Sequence, residues 1–226
     1  MKTMLQRLPP LLALAALFVL PGAATASEQQ ALIDKALSAV AEIKTDPHFA
    51  NFPDLLARAK GVVIVPDRIK AGFILGGEGG RGVLLAREPQ TGVWGYPAFY
   101  TLASGSVGLQ FGAQISQAVF LVMTDGGLDK LISGKVTLGG DANIAAGPFG
   151  TGVEAGTTLN AGLDFYAFAR AKGAFFGASV EGGALLPNDA WNAAYYGAEV
   201  TPADIVVERK VVNPGADTLR GELGRP

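Results

Sequence analysis

The sequence offers few groups for covalent or acid–base chemistry. The 226 residues include one histidine, His48, and no cysteine. No clear Ser-His-Asp triad can therefore be assigned, and the chain lacks the ligands of most zinc sites. Two acidic pairs come into question for acid–base work, Asp125 with Asp129 and Glu154 with Asp164. Asp125 is better explained as a helix cap and Asp129 as a solvated helix residue. We therefore expect no enzyme activity and no metal or other cofactor.

One glycine motif resembles a nucleotide site. Residues 77–82 read GEGGRG and match G-x-G-x-x-G, which holds a pyrophosphate when it opens a helix. Here the motif runs into VLLA at 83–86, which is typical of a strand, and no Lys-Ser or Lys-Thr pair completes a P-loop. We expect residues 76–82 to form a Gly-rich hairpin turn.

The first 26 residues are typical of a secretory signal peptide. Lys2 and Arg7 precede an apolar stretch at 8–20, and the sequence ATA at 24–26 fits the small-residue cleavage rule. The stretch contains two prolines and is shorter than the about 20 residues that a membrane span needs. We expect cleavage after Ala26 and export to the periplasm or the extracellular space. With no cysteine for lipid attachment, we expect the protein to be peripheral to a membrane.

The charge balance argues against nucleic acid as a partner. Two of the 18 basic residues lie in residues 1–26, whereas all 20 acidic residues follow, so the remainder carries a net charge of −4.

Helices are predicted from caps and apolar periodicity. Residues 27–44 predict an amphipathic helix in which Ser27 and Gln30 form a capping box. Its mixed polar face favours packing on a sheet over lying in a membrane surface. Further helices are predicted to begin at Asn51, around residues 125, 188 and 201, and the polar tail after Asn213 is expected to be loose.

Alternating apolar residues and 31 glycines predict the sheet. A short buried strand at 62–65 should stop at Pro66, and half-buried antiparallel strands follow. The expected strands cover residues 107–116, 136–144, 159–167 and 176–180. The fold class is α+β, with a strongly curved Gly-rich antiparallel sheet or small barrel and short helices packed on it.

Seven basic residues flank apolar stretches and could meet lipid phosphates at one rim. They are Lys60, Arg68, Lys70, Arg81, Lys135, Arg170 and Lys172.

Six ordered motifs resemble the SYLF domain family over about residues 30–207. They read KGVVIVP at 60–66, AGF leading to GGRGVL at 71–84, GLQFGAQ at 108–114, TLGGD leading to AAGP at 137–148, AKGAFFG with VEG at 171–182, and YYG at 195–197. The resemblance implies a lipid-binding domain, and exported bacterial members have no assigned catalysis. Eukaryotic members bind phosphoinositides and some bind actin. Those members act in the cytosol, so the signal peptide argues against both ligands for this chain.

The expected organisation is a signal peptide at 1–26, N-terminal helices at 27–59, a SYLF-like lipid-binding domain at 60–207 and a tail at 208–226. The expected function is binding of an anionic phospholipid membrane surface, which salt should weaken. Two alternatives stay open. One is an interaction module for another exported protein, and the other is an outer-membrane β-barrel, which short Gly-interrupted strands and intervening helices disfavour.

Overall fold

The computed structural model describes residues 27–72, 75–107, 112–147, 163–171 and 183–225. In that part of the chain, six helices accompany eight strands of one sheet. The helices are α1 Glu28–Thr45, α2 Phe52–Arg58, α3 Asp125–Ile132, α4 Asp189–Tyr196, α5 Pro202–Val206 and α6 Asp217–Gly224, with 3-10 turns at Pro47–Phe49 and Pro214–Ala216. The strands are β1 Gly61–Gly72, β2 Leu75–Ala86, β3 Ala98–Val107, β4 Gly112–Val122, β5 Val136–Thr137, β6 Ile144–Ala146, β7 Phe165–Ala171 and β8 Ala184–Pro187.

The sheet is a strongly curled half-barrel, which confirms the predicted α+β class. Its strand order is β5-β8-β3-β2-β1-β4-β7-β6. The pairs are antiparallel except for β6 with β7, which run parallel.

Apolar side chains from alternate strand positions build two cores, one on each face of the sheet. On one face, Val62 and Ile64 belong to a cluster with apolar residues of α1, α2, α4 and α6. On the other face, Val63 and Val65 belong to a cluster with residues of α3 and α5. Strands buried on both faces explain why the stretch at 62–65 is continuously apolar rather than alternating.

The predicted helix starts are largely confirmed. The Ser27 hydroxyl accepts a hydrogen bond from the Gln30 amide at 3.2 Å, and α1 packs on the sheet through buried residues such as Ala36 and Val40. Helix α4 begins after Asn188 and ends at Gly197, which has φ of 69°. The α3 cap is Thr124 rather than Asp125.

Several strand predictions were wrong. Strand β1 does not stop at Pro66 but continues to Gly72, with a bulge between Val65 and Arg68 that accommodates the missing proline N–H. The expected hairpin turn at 76–82 lies instead inside β2, paired with β1 and β3. In both places, hydrogen bonding to neighbouring strands keeps the chain extended where the local sequence predicted a break.

Two expected single strands are divided. Residues 107–116 include the end of β3 and the start of β4, which have β2 and β1 between them in the sheet. Residues 136–144 include β5 and the start of β6, which lie at opposite edges, with a turn at Gly139 where φ is 81°. Of the stretch at 159–167, only residues from 163 are described and β7 begins at Phe165; the stretch at 176–180 lies outside the described residues.

The C-terminal segment is not loose. Helix α6 packs against α1 and buries Leu219 and Leu223. The Lys44 ammonium donates hydrogen bonds of 2.8 Å to the carbonyl oxygens of Glu222 and Arg225, which closes the C-terminal end of α6. No helix among the described residues is long and apolar enough to cross a bilayer.

Candidate functional site

A groove of about 610 Å³ opens between α1, α4 and strands β1 to β3. We call it the α1–α4 groove. Apolar residues supply most of its lining: Ala31 and Leu32 from α1, Ile69 from β1, Gly79 and Gly80 from β2, Leu102 and Ala103 from β3, and Trp191 from α4. Ile69 is 51% exposed, an unusual exposure for a large aliphatic side chain on a strand. The volume lies in the range of about 300–1,000 Å³ that is typical of small-molecule sites.

The glycines of β2 determine which way Arg81 faces. A Cβ atom at Gly80 would lie 2.8 Å from Val65 Cγ1, and one at Gly82 would lie 2.8 Å from Val65 Cγ2. Both glycines therefore accommodate Val65 on the face away from the groove. Because side chains alternate along a strand, Arg81 between them points to the groove face.

The Arg81 guanidinium lies over an aromatic ring at the groove wall. Its Cζ atom is 4.3 Å from the centroid of the Trp191 ring, which is a cation–π arrangement. Trp191 contacts Phe99 edge-on at a centroid distance of 5.7 Å. The Asn188 side chain accepts from the Trp191 amide at 3.2 Å, and the buried Asn192 side chain accepts from the Phe99 amide at 2.7 Å. These contacts fix α4, and with it Trp191, on β3.

Four charged residues line the groove: Glu28, Lys35, Asp67 and Arg81. The Lys35 ammonium and the Asp67 carboxylate pair with each other at 2.6 Å. Glu28 and Arg81 form no ion pair with any residue in the described ranges. Among the side chains that line the groove, Arg81 and Glu28 are therefore the two charged groups without an ion pair to a described residue.

The seven basic residues of the sequence prediction do not gather around this groove. Arg81 lines it, whereas Arg68 is buried on the opposite face of the sheet, where its Nε donates to Ser116 Oγ at 3.0 Å. Lys60 lies 3.2 Å from Asp125 at the start of β1. Lys60 directly precedes β1, whereas Lys70 lies near the other end of that strand, up to about 30 Å away at roughly 3.3 Å per residue, so these two do not share one rim.

The remaining predicted cations lie elsewhere. Arg170 pairs with the α1 residue Glu42 and lies 3.4 Å from the Asp46 carboxylate. Lys135 is exposed just before β5. The Lys70 side chain and all of Lys172 lie outside the described parts, so their predicted lipid contacts stay predictions.

Other polar clusters serve the fold. Asp164 accepts hydrogen bonds from the Thr124 hydroxyl at 2.6 Å and the Lys130 ammonium at 2.8 Å, and it joins β7 to α3. Burial opposes ionisation of Asp164, but the bonds from Lys130 and Thr124 outweigh it and hold the pKa of this carboxyl below its usual value. His48 lies 2.8 Å from the Asp46 carboxylate. No cluster of possible metal ligands occurs within the described ranges.

Sequence reasoning missed Trp191 and Glu28 as groove residues. Each lies far from Arg81 in the chain, and α1 and α4 bring them to β2. Trp191 carried a weak signal, since it follows the Asn188 cap by three residues.

Comparisons with known proteins identify the family. The family model described as "Ysc84: Las17-binding protein actin regulator" matches residues 103–225, more than half of the chain. The chain belongs to this family. It corresponds to the SYLF family to which the sequence motifs pointed.

Three relatives show the extent of the similarity. LAS seventeen-binding protein 3 of Saccharomyces cerevisiae is 35% identical over 170 residues, which cover 74% of this chain and 37% of that protein. Protein YSC84 of the same yeast is also 35% identical, with 74% of this chain and 36% of that protein covered. The human SH3 domain-containing YSC84-like protein 1 is 31% identical over 67% of this chain and 44% of its own length. The chain therefore spans less than half the length of these relatives.

Proposed function

We propose that this family member is an exported, non-catalytic protein that binds phospholipid at a membrane surface. The observation that carries the proposal is the α1–α4 groove, where an exposed guanidinium lies over Trp191 beside an apolar floor that includes the half-exposed Ile69. A guanidinium is suited to bidentate contact with phosphate oxygens. The adjacent apolar surface suits the glycerol and acyl part of the same molecule.

The proposal retains fewer of the seven basic residues that the sequence predicts to contact lipid phosphates. Lys60 and Arg170 already pair with carboxylates, and Arg68 is buried. Arg81 is therefore the proposed phosphate contact, and Lys135, exposed just before β5, remains a predicted contact on the charge argument. Lys70 and Lys172 remain predicted contacts at a membrane surface on the charge argument alone.

Co-sedimentation with vesicles tests the proposal. The full chain is expressed with its N-terminal segment, the product is purified, and its mass reports whether cleavage occurred after Ala26. The product is mixed with phosphatidylglycerol or phosphatidylcholine vesicles at two salt concentrations. We expect the protein to pellet with vesicles, with more pelleted at low salt for the anionic lipid, and Arg81→Gln to reduce pelleting.

Arg58→Gln is the matched control, because it removes one exposed positive charge at the end of α2, outside the groove lining. Equal loss in both variants would indicate a diffuse charge effect and would exclude Arg81 as a specific contact. No pelleting with any lipid at either salt concentration would refute phospholipid binding.

A protein partner is the second candidate. The family model and the yeast relative carry names that refer to Las17 binding. Capture of one defined exported protein by the purified chain in lipid-free buffer, at a stoichiometric ratio and with no vesicle binding, would favour this role.

A further inference from the structure

The charged side chains of the α1–α4 groove differ in whether they already have a partner. Lys35 and Asp67 neutralise each other across 2.6 Å. The charges left over are the Arg81 guanidinium and the Glu28 carboxylate, both exposed and both lining the groove. A ligand that satisfies both must carry an anion and a cation.

A purely anionic head group satisfies only half of this site. Its phosphate would contact Arg81, but its remaining surface would approach Glu28 with no positive charge to offer, and like charges repel. A primary ammonium, by contrast, is a compact cation with three N–H donors for a carboxylate. A quaternary ammonium has no N–H to donate, and its usual aromatic partner is unsuited here because Arg81 already occupies the Trp191 ring.

The apolar floor distinguishes a lipid from a free phosphate ester. Leu32, Ile69 and Ala103 line the groove between elements that carry the charges. A soluble head group would leave this surface in contact with water, whereas a glycerol backbone with the first methylenes of its acyl chains would cover it. Ile69, which is 51% exposed, is the floor residue that would lose the most contact with water when a lipid binds.

We infer that the α1–α4 groove binds one zwitterionic phospholipid of the ethanolamine type, with the phosphate at Arg81, the ammonium at Glu28 and the glycerol end of the acyl chains on the apolar floor. The inference rests on the proposed function and specifies its ligand. It also separates two modes of lipid contact: a single lipid held in the groove, and the bilayer surface around it.

The test uses short-chain phospholipids below their micelle concentration. Three lipids with identical chains carry ethanolamine, choline or glycerol head groups, and phosphoethanolamine without chains is the fourth ligand. The protein has two tryptophans. Trp94 is 1% exposed and Trp191 lies in the groove, so a change in tryptophan fluorescence on titration reports the groove.

We expect the ethanolamine lipid to bind most tightly and phosphoethanolamine at least about tenfold more weakly. Arg81→Gln should weaken all three lipids by about tenfold or more, the usual effect of losing a charge-assisted hydrogen bond. Glu28→Gln should weaken the ethanolamine lipid to the level of the choline lipid and should strengthen binding of the glycerol lipid, because the repelling carboxylate is removed. The controls Arg58→Gln and Glu199→Gln, which change exposed residues outside the groove lining, should bind like the parent protein.

Two results overturn the inference. One is equal or tighter binding of the glycerol lipid by the parent protein, and the other is a Glu28→Gln variant that still prefers ethanolamine. Phosphoethanolamine that binds as tightly as the lipid would refute a lipid occupant. If no short-chain lipid binds but vesicles still pellet the protein, the groove site is wrong and the proposed function stands; if both fail, both are refuted.

Discussion

Replacing Gly82 with alanine tests the assignment of the glycine motif to a strand interior. The added Cβ atom would lie 2.6 Å from the Ile64 carbonyl oxygen and 2.8 Å from Val65 Cγ2. The first of these contacts is with the backbone of β1, which no rotamer change can relieve, so the two strands must move apart locally. Overpacking of this kind costs about 1–3 kcal/mol, and the backbone contact puts Gly82→Ala toward the upper end.

Urea unfolding followed by circular dichroism measures this cost as a lower midpoint at an unchanged slope. Gly126→Ala is the matched control, because a Cβ atom there meets nothing within 4 Å and Gly126 lies in α3. The control should gain up to about 1 kcal/mol, since alanine restricts the unfolded chain and favours a helix. Adding Val65→Ala to Gly82→Ala should not restore stability, because the contact with the Ile64 oxygen remains and a cavity is created.

A Gly82→Ala protein within about 0.5 kcal/mol of the parent would refute the reasoning, since this is the range of exposed sites without special contacts. That outcome would fit an open turn at residues 76–82, which is the structure that the sequence alone predicted.

Two further predictions concern the packing of α6 and the hydrogen bonds of Asp164. Leu219→Ala should lower the free energy of unfolding by about 2–5 kcal/mol because it leaves a cavity between α6 and α1, whereas Val212→Ala, at a residue 65% exposed, should change it little; urea unfolding compares the two. Asp164→Asn should cost about 1–3 kcal/mol at neutral pH. Because the folded-state pKa of Asp164 is lowered, its contribution is present above the unfolded-state value near 4 and is lost as pH falls through the folded-state pKa, so the variant should show a flatter loss of stability between about pH 5 and pH 2.

Helix ends could be predicted from the sequence because their signals are local. The Ser27 cap, the Asn188 cap and the left-handed Gly197 each act within one turn of the helix that they bound. The capping box formed by Thr201 and Asp204 is equally local. Side chains within four residues of one another suffice for these predictions, whatever the rest of the chain does.

Strands were harder because their partners lie far away in sequence. Pro66 and the glycines at 76–82 are typical of chain breaks, yet β1 accommodates the proline at a bulge and β2 pairs through its glycines with β1 and β3. Alternation at 136–144 is real, but it spans a turn between strands at opposite edges of the sheet. Periodicity identifies which residues face a core and leaves open which strands are neighbours.

The candidate site shows the same division. Charge and sequence position selected Arg81, which the structure places in the groove lining, but grouped it with Lys60 and Arg170, whose carboxylate partners come from α3 and α1. Neither those carboxylate partners nor the position of Glu28 in the groove lining could be inferred without knowing how the helices pack on the sheet. Composition thus finds the candidate cations, and tertiary contacts decide which of them are uncompensated.

The glycine motif joins the fold and the site within one strand. Gly80 and Gly82 leave space for Val65 on one face, and this close packing fixes Arg81 on the other face, over Trp191. The two roles should separate experimentally. Gly82→Ala should act on stability through β1, whereas Arg81→Gln removes a surface charge with no ion pair among the described residues and should act on ligand binding with little change in unfolding. A motif that resembles a phosphate-binding loop would then contribute to phosphate recognition by a different physical route: its glycines let two strands approach closely, and the arginine between them makes the contact.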